Sequence, residues 1–288
     1  MSTMVETPQP VSVFAGAARR LRGSWLLSSK TGKISAAMVL IALLVVVLAP
    51  LLAPFGLDEQ GRTSFAGPTA AHLLGTDQLG RDLLSRLIYA IRLDMVIALI
   101  AIPLGGIVGT LLGLSGVLAP WLGQVTSRIF DVIIGFPTLV LGIALALVLT
   151  PGTTAVIVAI AVINLPVFGR LARGGMLSQL GRDYVIAARS LGASRWRLLW
   201  RHVLPNIRSA ILVQGAIAIA DAVFVEGALS ILGVGVQPPE ASLGSMVQAG
   251  LPYIADSPLS VLAPTIALAW IILGFALMAD TFNNRASR

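Results

Sequence analysis

The chain has 288 residues, of which 56% are hydrophobic and 11% charged, and its mean hydropathy is +0.90. Ordinary soluble domains are roughly 45–50% apolar, so this composition excludes a soluble fold and indicates a membrane protein. The formal charge of +7 does not indicate nucleic acid, because the basic residues lie between apolar runs too long for a soluble core, and the absence of cysteine excludes disulfides, thiol chemistry, Cys-ligated zinc and lipidation on cysteine.

Residues 1–33 are mostly polar, carry Arg19, Arg20, Arg22, Lys30 and Lys33, and are read as a cytoplasmic N-terminal segment. The first apolar stretch, Ile34 to Leu52, exceeds the roughly 7–15 residues of a cleaved signal core and is expected to be an uncleaved membrane anchor. An outer loop follows and completes a first region, 34–94. In it Leu84, Leu87, Ile88 and Ile91 predict an amphipathic helix starting near Asp82. That helix would lie on the outer membrane surface against the bundle, or form part of a platform for a substrate-delivery protein.

The remaining core, 95–285, holds five more stretches near the roughly 20 residues that span a bilayer core of about 30 Å. They are Met95 to Leu118, Val132 to Thr150, Thr153 to Gly169, Ser209 to Val236 and Leu259 to Ala279. Gly105, Gly109 and Gly113 form a repeated G-x-x-x-G stripe, which permits close helix packing within the chain or against another subunit. The fourth stretch is short, and Asn164 and Pro166 near its end indicate a helix packed on protein rather than bathed in lipid. The fifth contains Asp221 and Glu226. An acid at membrane depth costs about 2.5–3.5 kcal/mol on insertion scales, so both are candidates for lining a pathway or gate, the alternative being a hydrogen bond to a neighbouring span.

Six spans place both termini on one side. With the N-terminus inside, 16 of the 20 basic residues are cytoplasmic, eight of them between spans four and five, while only Arg62, Arg81, Arg86 and Arg92 lie outside, in a loop that also holds five acids. The asymmetry predicts cytoplasmic N- and C-termini.

The cytoplasmic segment 170–208 has more structure than a topological signal needs. In "DYVIAARSLGASRWRLLWRHVLPN", Tyr184, Ala187, Ala188 and Leu191 recur at i, i+3, i+4 and i+7, Gly192 interrupts, and Ser194 is placed to cap a second helix carrying Trp196, Leu199, Trp200 and Val203 up to Pro205. A helix–turn–helix between two spans predicts a docking element.

This strip resembles the cytoplasmic loop of ABC importer permeases, with Ala187 and Ala188 at the Ala pair, Gly192 three residues later, and Leu204 and Pro205 at the closing Leu-Pro. Ile186 stands where the wider family has Glu, and His202 where it has Ile. The form is closest to the dipeptide/oligopeptide/nickel branch. "LGTDQLGRDLLSRLIYAIRLDM" resembles that branch's signature before the second span, with Asp94 where Ser is common, and "GALSILGVGVQPPEASLG" resembles its segment after the fifth. The resemblance implies an all-α, six-span polytopic bundle with a type I importer permease core, the second (C-type) permease chain of a peptide importer. It implies a homologous permease partner, two ATPase subunits that bind the ATP and Mg²⁺, and a periplasmic or surface-tethered binding protein, with no cofactor or metal in this chain. Tyr184 to Leu191 would be the coupling helix, Gly192 its turn and Pro205 the start of the exit into span five.

Two rivals bear on the reading. "GLSG" at 113–116 matches the G-x-S-G of rhomboid-type intramembrane proteases, but Ser115 needs a base, and His72 and His202 both lie outside the spans. A self-contained channel or secondary transporter would leave the helix–turn–helix loop without a purpose, and no internal repeat supports one. The chain has no G-x-x-x-x-G-K-[ST] phosphate loop, so ATP-driven work requires a separate subunit.

Overall fold

The computed structural model describes residues 29–286, so nearly all of the expected N-terminal segment, together with Arg288, lies outside the described residues. Ten helices follow in order: α1 (Lys30–Leu52), α2 (Leu83–Leu114), α3 (Pro120–Gly135), α4 (Thr138–Val148), α5 (Thr153–Leu180), α6 (Asp183–Ser190), α7 (Arg195–Arg197), α8 (Leu204–Ile231), α9 (Leu243–Gly250) and α10 (Leu259–Ala286). Among the described residues there is no β-strand, only two isolated bridges in the outer loop.

The centre of the bundle is the pair α2 and α5. Gly105, Gly109 and Gly113 are buried and face the α5 backbone directly. A Cβ on Gly105 would lie 2.5 Å from the carbonyl oxygen of Ala161, and one on Gly109 or Gly113 would run closer still to the carbonyls of Leu165 and Gly169. The stripe is therefore used inside the chain, where small residues let two backbones meet and gain dispersion along their length. Gly169 also makes room on another side, its missing side chain leaving space for the buried ring of Phe130 on α3.

α1 lies at the periphery. Its buried residues Gly32, Ser35, Val39, Ala42 and Ala49 form a single stripe against α2 and α10, and Leu40, Leu44, Val47 and Leu51 point outward. α5 is continuous through Pro166 and extends 11 residues beyond the expected end at Gly169. As expected, it packs on protein. Asn164 is buried and satisfies its amide locally, Nδ2 donating to the Ile160 carbonyl at 2.9 Å.

Three expectations need correction. The segment from Asp82 is no separate surface helix. Asp82 is the N-cap of α2, its carboxylate accepting from Ser85 N at 2.7 Å, and the helix runs unbroken to Leu114. Leu84, Leu87, Ile88 and Ile91 are half-buried in its first turns, with Leu87 and Ile91 packed on the main core. The third span is not one straight helix: α3 and α4 meet at a 98° bend at Phe136. Pro137 explains the break, since it disfavours helical geometry in the preceding residue, and Phe136 is extended at φ −91° and ψ 139°. Among the described residues five helices are thus long and apolar enough to cross a membrane, and up to six spans result if the bent pair is one. Finally, α8 ends at Ile231, five residues before the expected Val236, in a turn with Gly233 at φ +81°.

The outer loop is held by internal ion pairs. Arg81 donates to Asp77 Oδ2 at 2.7 Å and to Asp58 Oδ1 at 2.9 Å, while Arg86 lies 3.6 Å from Asp77 and donates to the Leu57 carbonyl at 3.3 Å. Two of the four outer arginines are consumed this way. The His72 ring pairs with Asp82 at 3.0 Å, tying the loop to the start of α2.

The glycine stripe yields a direct test. Gly113→Val is expected to cost at least the roughly 1–3 kcal/mol of an overpacked core and to lower the yield of monodisperse protein. Gly174→Ala on α5, whose added Cβ meets nothing within 4 Å, is expected to be neutral or mildly stabilising in the same thermal-shift measurement.

Candidate functional site

At the arginine-rich end, a short excursion leaves the bundle between Gly181 and Ser194. α6 carries Asp183 in its first turn and Arg189 in its last, both favourable for the helix dipole. Its one buried residue is Val185, 2% exposed, and a groove beside it is lined by Leu180, Ile186, Arg189, Ser190 and Leu198. The sequence missed Val185 as the anchor. No periodic signal marks it, because α6 is only eight residues long and a single inward side chain has no partner a turn away.

The face expected to dock is the one left uncovered. Tyr184, Ala187 and Leu191 are exposed, Leu191 at 89%, and Ala188 is half-buried. Ile186 at 52%, Trp196 at 58% and Trp200 at 51% extend this apolar surface. On α6, which lies outside the spanning helices, exposed apolar residues of this kind are what protein contacts use. Tyr184 also serves as a tie. Its hydroxyl donates to Gln179 Oε1 at the end of α5 and accepts from Asn206 Nδ2 on α8 at 3.2 Å. Partial burial holds its phenol above the usual value, with Arg182 pulling the other way.

Gly192 ends α6 in a Schellman arrangement: its N–H donates to the Arg189 carbonyl at 3.0 Å, and Ala193 N–H to the Ala188 carbonyl at 3.0 Å. This requires φ +79° at Gly192, where a Cβ would touch nothing within 4 Å. The constraint there is backbone conformation, not space. Ser194 caps the next helix as expected, accepting from Arg197 N at 3.3 Å. Pro205 does not break that helix. A π turn over Leu198–Val203 precedes it, with Leu204 N–H bonded back to the Leu199 carbonyl, and the rod from Arg195 to Ile231 is continuous. A regular α-turn would drive the proline ring into the Arg201 carbonyl, and the wider turn makes room.

The rod is anchored by a second apolar cluster: Leu114 at the end of α2 and Val117 just beyond it, Ala172 and Met176 of α5, and Leu199, Val203 and Ile207 around the π turn. Arginines fasten its edge. Arg195 donates to the Leu118 carbonyl after α2, and Arg173 to the Gly123 carbonyl and Ser127 of α3. Arginines of the basic segment thus bind the segment after α2 and the first turns of α3 to the rod and α5. Ser115 lies nearby, its hydroxyl 3.4 Å from Thr126 Oγ1, with no histidine among the described residues bonded to it.

The two acids of α8 have different surroundings. Glu226 is fully buried within the chain, its Oε1 accepting from Ser230 at 2.7 Å. Asp221 is exposed on the opposite side of the helix, a turn from exposed Phe224, and makes no hydrogen bond or ion pair among the described residues. The sequence reading also overlooked Asp94, assigned to the outer loop. It is a fully buried residue of α2, in line with buried Ala90 and Ala98 one turn either side, a small-residue pattern that was present in the sequence.

Comparison with known proteins adds to this geometry. Residues 101–288 match the family described as binding-protein-dependent transport system inner membrane component. The chain is 34% identical over 240 residues to the dipeptide transport system permease protein DppC of Alkalihalophilus pseudofirmus, covering 83% of this chain and 79% of that one. It is 35% identical over 283 residues to the probable D,D-dipeptide transport system permease protein DdpC of Escherichia coli, covering 96% and 93%. Among solved structures, an inward-facing conformation of the MetNI methionine ABC transporter superposes at a TM-score of 0.53 and 17% identity, over 72% of this chain and 98% of that chain, a likeness of fold.

Removing the anchor should free α6 without disturbing the bundle. Val185→Asp, which buries an unpaired charge, is expected to raise the rate of tryptic cleavage at Arg189 several-fold. Tyr184→Phe, which deletes two hydrogen bonds worth about 0.5–1.5 kcal/mol each, should have a smaller effect in the same direction.

Proposed function

Because the chain belongs to the family of binding-protein-dependent transport system inner membrane components, we propose that it is the C-type permease of an ATP-driven importer for dipeptides or oligopeptides. It is a multi-pass inner-membrane subunit of an ABC importer. The peptide substrate is proposed from the names of its relatives, two of them dipeptide permeases that align over most of their length.

The observation that carries the mechanism is the uncovered apolar face of α6, mounted on the rod that continues into α8. A groove on an ATPase subunit would receive Tyr184, Ala187 and Leu191, with the small Ala187 and Ala188 permitting close approach. When two ATPases close on ATP and Mg²⁺, both held by those partners, the displaced α6 pulls on α5 and on α8 through the Tyr184 hydroxyl, which bonds to Gln179 and Asn206. These spans then rock against a homologous permease chain, exposing the pathway alternately to each side. The reading places the arginine-rich end and both termini in the cytoplasm, and a binding protein at the opposite end.

Asp221 faces the pathway in this scheme. An unpaired carboxylate at membrane depth is costly against lipid, whereas a water-filled path or the facing permease removes the cost. Glu226, enclosed by the chain, has no such access.

Two experiments test the reading. In the reconstituted transporter, Ala188→Arg and Gly192→Asp are expected to abolish uptake while ATP hydrolysis and membrane insertion persist. Gly192→Asn, which tolerates positive φ, should be milder, and unchanged uptake in all three removes α6 as the coupling helix. Asp221→Ala is expected to lower uptake on the order of tenfold, about 1.4 kcal/mol, with assembly intact. The solute is identified by which ligand-loaded binding protein stimulates hydrolysis.

A further inference from the structure

Where α2, α8 and α9 meet, two carboxyl groups are enclosed together. Asp94 and Glu226 are each 0% exposed and lie within hydrogen-bonding reach of one another. Asp94 Oδ2 accepts from Leu243 N–H at 3.1 Å, and Glu226 Oε1 from Ser230 Oγ at 2.7 Å. The other oxygen of each acid, Asp94 Oδ1 and Glu226 Oε2, finds no donor. None of the ion pairs among the described residues includes either acid.

An ionised carboxylate only accepts hydrogen bonds. Two ionised groups here would set like charges side by side in a dry interior and leave two buried acceptors unsatisfied. One proton removes both difficulties, because the protonated member becomes the donor to its neighbour. We propose that Asp94 and Glu226 hold a single proton between them, with Asp94 as the acid and Glu226 as the carboxylate, and that this bridge positions α9. The assignment within the pair follows from the donors: a hydroxyl holds Glu226 at 2.7 Å, whereas Asp94 is reached by a backbone N–H at the longer 3.1 Å.

The bridge acts on α9 through its first turn. Leu243 is the first residue of α9, so its N–H is one of the donors that a helix start leaves without an intrahelical partner, and Asp94 takes it. Ser242 is the N-cap, in a reciprocal capping box with Ser245 at 3.0 and 2.8 Å. Ser230 also accepts from Val236 N–H at 3.0 Å, which fixes the turn leading from α8 towards α9. Gly244 lies against the Gly227 backbone so closely that a Cβ would collide with the Gly227 carbonyl, so a small displacement of α9 has no room to be absorbed. Neither acid reaches the surface, and both are therefore positioning residues distinct from the proposed pathway group Asp221.

The test is infrared spectroscopy of the full chain in a bilayer, paired with thermal unfolding. Wild type is expected to show the carbonyl stretch of a buried protonated carboxylic acid, resistant to hydrogen–deuterium exchange, and Asp94→Asn is expected to lose that band. The side-chain amide introduced by Asp94→Asn can still donate to Glu226 and accept from Leu243, so the unfolding midpoint of this variant should stay near that of wild type, whereas Asp94→Ala should fall well below it. A wild-type spectrum without the band overturns the proposal, as does a band that survives in Asp94→Asn. An Asp94→Asn variant as unstable as Asp94→Ala also overturns it. If Asp94→Ala does not fold, the two spectra decide alone.

Discussion

The close approach of α2 to α5 is the constraint on which the other contacts depend. Three glycines on α2 bring one backbone against another over nine residues, and any side chain there would separate the helices. With this pair fixed, α3 is located by Phe130 inserting beside Gly169, and the bent α3–α4 unit packs along α5. α1 and α10 then cover one flank, their buried stripes narrow and their outward faces apolar, as lipid-facing helices require.

The two ends of that central pair carry different chemistry. At the arginine-rich end an apolar cluster joins α2, α5 and the π turn ahead of α8, so an element seated there cannot move without taking those helices along. α6 is seated beside this cluster, packed on the π turn and tied to α5 and α8 through the Tyr184 hydroxyl. At the opposite end the joints are polar: ion pairs within the outer loop, and the enclosed acids and serines where α9 begins. Away from water each polar group must be satisfied by the chain itself, which makes such joints directional and stiff.

Much of the α6 excursion was legible in the sequence because it is local. Gly192 after two alanines, followed by Ser194, specifies a helix end and a helix start through hydrogen bonds that span at most five residues. The spans were legible from length and polarity, except that proline acts differently at different positions. Pro137 produces a 98° bend, whereas Pro166 and Pro205 are carried within or into continuous helices, the latter by a π turn. Proline states that one hydrogen bond is missing; packing decides whether the helix bends or widens.

The sequence by itself determined that the chain spans a membrane, which end is basic, and the local turn chemistry of segment 181–194, since composition, charge and short-range hydrogen bonding do not depend on which helices meet. Its motifs also indicated the family. Only the tertiary structure decided which face of each helix is covered. It assigned the glycine stripe to α5, enclosed Glu226 with Asp94, and left Asp221 and the α6 surface open. An α-helix turns its residues around an axis every 3.6 positions, and in a chain apolar on nearly every side the sequence pattern does not say which direction is inward. Contacts between segments far apart in the chain supply that direction, and with it the distinction between an acid that is sealed away and one that is left exposed.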